Sequence, residues 1–322
     1  MSNTIVDTWD TPKPWPRLVY IATTNLCNAR CTCCVNEIHR KPRGIMSLEN
    51  FKIIADKIRA NGCKIGAMFC WGEPLLDTTF FGKCRYAKSL DMFTNPIGLN
   101  TNVSLLSPEM YDDILEFCPN LNLSFLSAYE DYERITGLSW ENSYRRALDF
   151  IAYRDAHKPE FVIRIGCNQI TGHGMNSVQR AFAGKNVLYE TDAEILWKPA
   201  KVFRGPQARL IMHWNNWRCD GHSGIIQVIW NGDCECCAYD IVGTKEGCGE
   251  TKFGNMLTDS WDALREQHHA VWRAGTSLCR RCDYWHHAKA IIANNGKIPN
   301  PQPEGWNDWE NECELPLTNL DS

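Results

Sequence analysis

Short β-rich runs alternate with amphipathic helical stretches through about residue 200, and this alternation constrains the fold most. LVYIATT (18–24) reads as a first strand. Ser47 then caps a helix over LENFKIIADKIRA, with Phe51, Ile54 and Ile58 at helical spacing and Gly62 as its stop. KIGAMFCW, NPIGLNTN, LNLSFLS, EFVIRIGC and EILWKPA supply five further strands. Ser107-Pro108-Glu109 opens one intervening helix, and WENSYRRALDFIAYRDA and NSVQRAFA form others. Strand–helix units in such a series predict an α/β fold, a parallel sheet curled as a partial (β/α)6 barrel. Working residues in such folds sit at the C-terminal ends of strands, where the notable motifs fall.

The pattern changes after about residue 210. IIQVIW, Asn231-Gly232 and CECCA read as a β-hairpin with an Asn-Gly turn. A helix capped by Ser260 follows over SWDALREQHHAVWRA, and then CRRC. A unit this small has little core of its own, so a bound metal would help to hold it together. The expected organisation is a barrel over 1–208, a small hairpin and helix domain over 209–295, and an extended Pro-rich acidic tail over 296–322.

Seventeen cysteines are the compositional anomaly. The N-terminus lacks a signal-type apolar core and no apolar run spans a bilayer, so a cytoplasmic protein with no membrane partner is expected. In a reducing cytosol, clustered cysteines bind metal or do chemistry more often than they form disulfides. A net charge of −4 gives no reason to expect bulk nucleic acid as a partner.

Directly after the first strand comes TTNLCNARCTCC, with Cys27, Cys31 and Cys34 in the spacing CxxxCxxC. Three thiolates on one loop can hold three irons of a cubane and leave the fourth open. A zinc site would usually show two CxxC pairs, and this loop has only the one formed by Cys31 and Cys34. The loop resembles that of the radical S-adenosylmethionine (SAM) superfamily, in which a Thr-Asn pair precedes CNxxCxxC. Cys33 stands where the family commonly has an aromatic residue, so it competes with Cys34, though spacing favours Cys34.

The resemblance continues through Cys70-Trp71-Gly72-Glu73-Pro74, similar to the family's Gly-Gly-Glu-Pro motif with Trp71 for the first glycine. It implies that Gly72 and Glu73 bind SAM, the carboxylate accepting charge-assisted hydrogen bonds from the ammonium. LNTNVSLL resembles the third-strand Thr-Asn-Gly segment with Val103 for glycine, and LSFLSAYEDYERITG the fourth-strand motif with Leu126 for aspartate. These imply Asn100 and Ser124 as further SAM contacts. Together they imply a [4Fe–4S] cluster and SAM as cofactors, with an external one-electron donor such as flavodoxin or ferredoxin.

A second set comprises Cys219, Cys237, Cys279 and Cys282, with Gly232 in the hairpin turn before Cys237. Four thiolates would complete a cubane without an open iron, and a Cys₄ zinc knuckle is the alternative occupant. The arrangement resembles the twitch domain, the shortened relative of the SPASM domain, which implies a second, auxiliary [4Fe–4S] cluster. Cys234 and Cys236 compete with Cys237 for its place.

Such a cluster suits a substrate radical that must gain or lose an electron. Epimerisation and carbinol dehydrogenation both fit, and the expected substrate is a polar small molecule such as an amino sugar. Peptide-modifying relatives often carry a recognition domain before the cluster, and only 26 residues precede Cys27 here, so radical modification of a short peptide stands as an alternative behind the amino sugar. Cys248, between Gly247 and Gly249, and Cys167, ending the fifth strand, are the candidate hydrogen donors. Cys63, Cys84 and Cys118 read as buried small hydrophobes. The non-enzymatic alternative is a metal-binding scaffold that meets a partner through its thirteen tryptophans.

Overall fold

The computed structural model describes residues 15–16, 18–31, 34, 43–69, 72–93, 98–167, 174–191, 225–237 and 251–274. Through the first part of the chain, strands and helices alternate: β1 Leu18–Ile21, α1 Leu48–Ala60, β2 Ile65–Ala67, α2 Phe80–Ser89, β3 Gly98–Thr101, α3 Tyr111–Phe117 and β4 Asn120–Ser124. Next come α4 Tyr129–Thr136, α5 Trp140–His157, β5 Ile163–Cys167, α6 Gly174–Ala181 and β6 Leu188–Thr191. The last described elements are β7 Ile225–Val228, β8 Asp233–Glu235, β9 Lys252–Asn255 and α7 Trp261–Ala274.

Caps explain several of these boundaries. Ser47 accepts from the Asn50 amide at 3.0 Å, and α1 ends before Gly62 at φ +69°. Removing that cap in Ser47→Ala is expected to cost about 1 kcal/mol, read by denaturant unfolding. Ser139 caps α5 and Ser260 caps α7 in the same way. Gly137, left-handed at φ +69°, terminates α4.

The strands form two sheets, β2-β1-β7-β8-β9 and β3-β4-β5-β6. All pairings from β1 through β6 are parallel, as the strand–helix alternation requires, and this is the predicted α/β partial barrel with extra C-terminal strands and a helix. A bridge from Ile65 to Phe93 links β2 to the segment entering β3. Val19, Ile21, Leu99, Leu121, Leu123, Ile163 and Ile165 bury one face of the sheets against Phe51, Ile54, Phe80, Ile114 and Phe150 of the helices. The other face carries Tyr20, Asn100, Asn122 and Arg164, in the pattern period-2 alternation dictates.

Two features depart from the sequence expectation. The strand beside β5 is Leu188–Thr191, upstream of EILWKPA, which lies outside the described residues. The predicted hairpin does form, as β7 and β8 around Gly232 at φ +89°, but β7 also pairs in parallel with β1. The C-terminal strands therefore continue the first sheet. Among the described residues no helix is long and apolar enough to cross a membrane.

Candidate active site

The loop carrying Cys27, Cys31 and Cys34 leaves the C-terminal end of β1, and hydrogen bonds fix both its ends. Thr24 Oγ1 donates to the Gly44 carbonyl at 2.9 Å and accepts from the Leu26 amide, while Asn25 Oδ1 accepts from the Gly44 amide. The Thr-Asn pair thus ties the loop's exit to its return at residues 44–46. On the far side, the Arg30 amide donates to the Thr136 carbonyl at 2.8 Å, where Gly137 ends α4.

Cys27, Cys31 and Cys34 are half-buried thiols. The Ala29 amide donates to Cys27 Sγ at 3.4 Å, and Asn102 Nδ2 approaches the same sulfur at 3.8 Å. Burial, with Glu73 and Cys34 nearby, pushes the Cys27 thiol up to about 11. Among the described residues no three Cys, His, Asp or Glu side chains converge as for one metal ion. A mononuclear site draws sulfurs to about 2.3 Å from one centre, whereas a cubane spreads its thiolates over separate irons. Three thiols on one loop, with amides aimed at the Cys27 sulfur, fit the cubane.

Gly72 passes so close to this loop that a Cβ there would lie 2.5 Å from the Thr24 carbonyl oxygen and 2.9 Å from that of Leu26. Only glycine fits. The next residue, Glu73, is 2% exposed. Its amide donates to the Leu26 carbonyl at 2.7 Å. Its carboxylate accepts from the Leu75 amide (3.1 Å), Thr101 Oγ1 (2.7 Å) and the Asn102 amide (2.7 Å). Burial outweighs these donors and pushes the carboxyl up to about 7. Behind it, a buried Asp77–Lys83 ion pair, with Lys83 also donating to the Met46 carbonyl, pins the turn to the chain returning from the cysteine loop.

Thr101 and Asn102 are the residues that sequence reasoning missed. Asn102 joins Glu73 to Cys27, and its Nδ2 also donates to Asn28 Oδ1 at 2.9 Å. Val103 follows at φ +71°, fully buried, where the related motif has glycine. A β-branched residue is strained there, and its amide is held by Thr101 Oγ1 at 3.1 Å. Tyr132, from YERITG, donates from its hydroxyl towards the Asn102 carbonyl at 3.3 Å. The Thr-Asn-Val and Tyr-x-x-Ile-Thr-Gly resemblances were the available signals.

Among the described residues no hydrogen bond joins the other predicted contacts to this network. Asn100 lies on β3, in register with Asn122, and the Oδ1 of each is buried without a hydrogen-bond partner among the described residues. Ser124 closes β4 opposite Gly166. Cys167 ends β5, in register with Thr191. Of the second cysteine set only Cys237 is described, half-buried just beyond β8. Its competitors pack into the hydrophobic core, where burial raises the Cys234 thiol far above the ordinary range. Cys219, Cys248, Cys279 and Cys282 lie outside the described residues, as does Cys33. Cys63, Cys84 and Cys118 are buried, as expected.

Residues 21–174 match the Radical SAM superfamily model. The chain resembles Streptococcus suis SuiB bound to precursor peptide SuiA, at 13% identity over 87% of this chain and 73% of that one, with a TM-score of 0.56. It also resembles anSMEcpe with bound AdoMet, at 17% identity over 92% and 95%, with a TM-score of 0.56. BtrN in complex with AdoMet and 2-DOIA aligns over 82% and 91% at 13% identity, with a TM-score of only 0.47. No curated protein matches in sequence. The matched segment spans just under half of the chain, and the structural likenesses, at these identities, show the fold.

Proposed function

We propose that the chain is a radical SAM enzyme that removes a hydrogen atom from carbon of a polar small molecule, such as an amino sugar, and inverts that centre. The observation that carries this reading is the junction of Cys27, Asn102 and Glu73 at the C-terminal ends of β1 to β3, inside the matched segment. Cys27, Cys31 and Cys34 would hold a [4Fe–4S] cluster, and Glu73 would take SAM's ammonium. With both bound, the cluster would supply the electron, drawn from a flavodoxin- or ferredoxin-like donor, for cleavage of SAM to methionine and the 5′-deoxyadenosyl radical. Cys219, Cys237, Cys279 and Cys282 would hold an auxiliary cluster, in the manner of the twitch domain. That domain resembles those of 2-deoxy-scyllo-inosamine dehydrogenase and neomycin C epimerase.

The chain's own part in inversion is to return hydrogen to the opposite face: Cys248, with Cys167 as the other candidate, would give up its thiol hydrogen atom, and one electron drawn through the auxiliary cluster with a proton from solvent would restore the thiol from the thiyl radical. Thiol hydrogens exchange with solvent, while the abstracted hydrogen comes from carbon. In D₂O the enzyme is therefore expected to place one deuterium on product carbon and to consume one SAM per turnover. Cys248→Ala is expected to cleave SAM yet give little inverted product, as read by mass spectrometry. A product two mass units lighter, with no deuterium on carbon, would identify a dehydrogenase instead. Loss of inversion only in Cys167→Ala would move the donor to β5.

A further inference from the structure

The polar face of the barrel holds a side chain that nothing in the mechanism uses. Gln227 lies in the middle of β7, 4% exposed, and both its Oε1 and its Nε2 are buried without a hydrogen-bond partner among the described residues. A buried carboxamide with neither end satisfied loses its hydration and gains nothing in return. Its flanking residues Ile226 and Val228 belong to the hydrophobic core, so alternation turns Gln227 to the opposite face. On that face its register partners are Tyr20 of β1 and Glu235 of β8. Tyr20 in turn lies over Gly66 of β2, where a Cβ would meet its ring at 2.5 Å.

The second sheet shows the same pattern on its polar face. Asn100 and Asn122 are register neighbours on β3 and β4, each with a buried Oδ1 lacking a partner among the described residues. Gly166 of β5 leaves the room Asn122 occupies, since a Cβ there would fall 2.4 Å from Asn122 Oδ1. Three amide side chains on the polar faces of the two sheets thus await partners that the described residues do not supply.

We infer that Gln227 is a substrate-recognition residue, reading a ring that bears hydroxyl and amine groups, with Asn100 and Asn122 of the second sheet as further acceptors. The inference rests on the enzymatic reading above. A carboxamide presents a donor and an acceptor side by side, which a hydroxyl group matches in both directions. Asn100 and Asn122, on adjacent strands about 4.8 Å apart, require two donors at short spacing. Ring hydroxyls and amines offer that spacing. An extended peptide repeats N–H groups on one side only about every 6.8 Å.

The test uses full-length reconstituted protein with SAM bound, wild type and Gln227→Met, melted alone, with 2-deoxystreptamine, and with triglycine amide. Without probe, Gln227→Met is expected to melt several degrees above wild type, because an apolar chain of similar size replaces an unsatisfied amide. 2-Deoxystreptamine is expected to raise the wild-type Tm and leave that of the variant unmoved. Gln227→Asn, which keeps the carboxamide but draws it back, is expected to bind the same probe at least tenfold more weakly. A Gln227→Met variant melting below wild type would show an internal structural partner and overturn the assignment. So would equal shifts in both proteins, a response to triglycine amide alone, or no wild-type response to either probe. Uncoupled SAM cleavage by the wild type keeps the two readings apart: its absence counts against the enzyme, its presence with failed binding against Gln227.

Discussion

Replacing Cys27, Cys31 and Cys34 together with Ala is expected to abolish reductive SAM cleavage and to lower the iron of reconstituted protein from about eight atoms per chain to about four. The loss would come from the ligands and not from collapse of the loop. Thr24, Asn25 and Arg30 hold its ends through bonds to Gly44 and Thr136 that involve no cysteine side chain. The retained iron tests the second cysteine set independently. A fall to zero would mean that the hairpin region holds no cluster, and zinc in its place would identify a structural knuckle. Full cleavage by the triple variant would end the radical reading of the site.

Much of this site was legible because its parts are local. The cysteine spacing, the Thr-Asn pair, the Gly72-Glu73 turn and the caps at Ser47, Ser139 and Ser260 each depend on residues a few positions apart. Asn102 shows where local reading stops. Asn100 stands on a strand face set by alternation, while Asn102 lies just past the strand, where its amide and side chain meet Glu73 and Cys27. The pairing of β7 with β1 was invisible for a related reason. It joins Leu18–Ile21 to Ile225–Val228, and no sequence pattern encodes a partner that far away. Gln227 took on meaning only once that pairing gave it a face.

Glu73→Ala is expected to weaken SAM binding at least tenfold, measured by calorimetry on reconstituted protein. A hydrogen bond to a charged group is worth about 1.5–3 kcal/mol. A carboxylate offers about four acceptor positions, and Leu75, Thr101 and Asn102 take three, which leaves one for the ammonium. Thr101→Val separates the two duties of the group. It removes one internal bond but keeps the carboxylate, so SAM affinity is expected to fall much less than in Glu73→Ala. Equal losses in both variants would make Glu73 a clamp between the turn and β3, with no direct contact to SAM.

The same substitution has a signature in the SAM-free protein. An ordinary glutamate carboxyl near 4.5 is charged in the unfolded chain above that pH, whereas burial pushes Glu73 up to about 7 in the folded one. Between those values the folded state binds the extra proton, so this group's contribution to stability falls as pH rises. Below 4.5 both states are neutral and no cost arises; above about 7 the full cost is present, about 3 kcal/mol for this separation. Glu73→Ala has no such dependence. The stability gap between wild type and variant, read by denaturant unfolding, is therefore expected to shrink by about 3 kcal/mol from pH 4.5 to about 7 and then to level off. A gap that stays constant over that range would mean that Leu75, Thr101 and Asn102 already compensate the buried charge, and that the carboxylate stands ionised before SAM arrives.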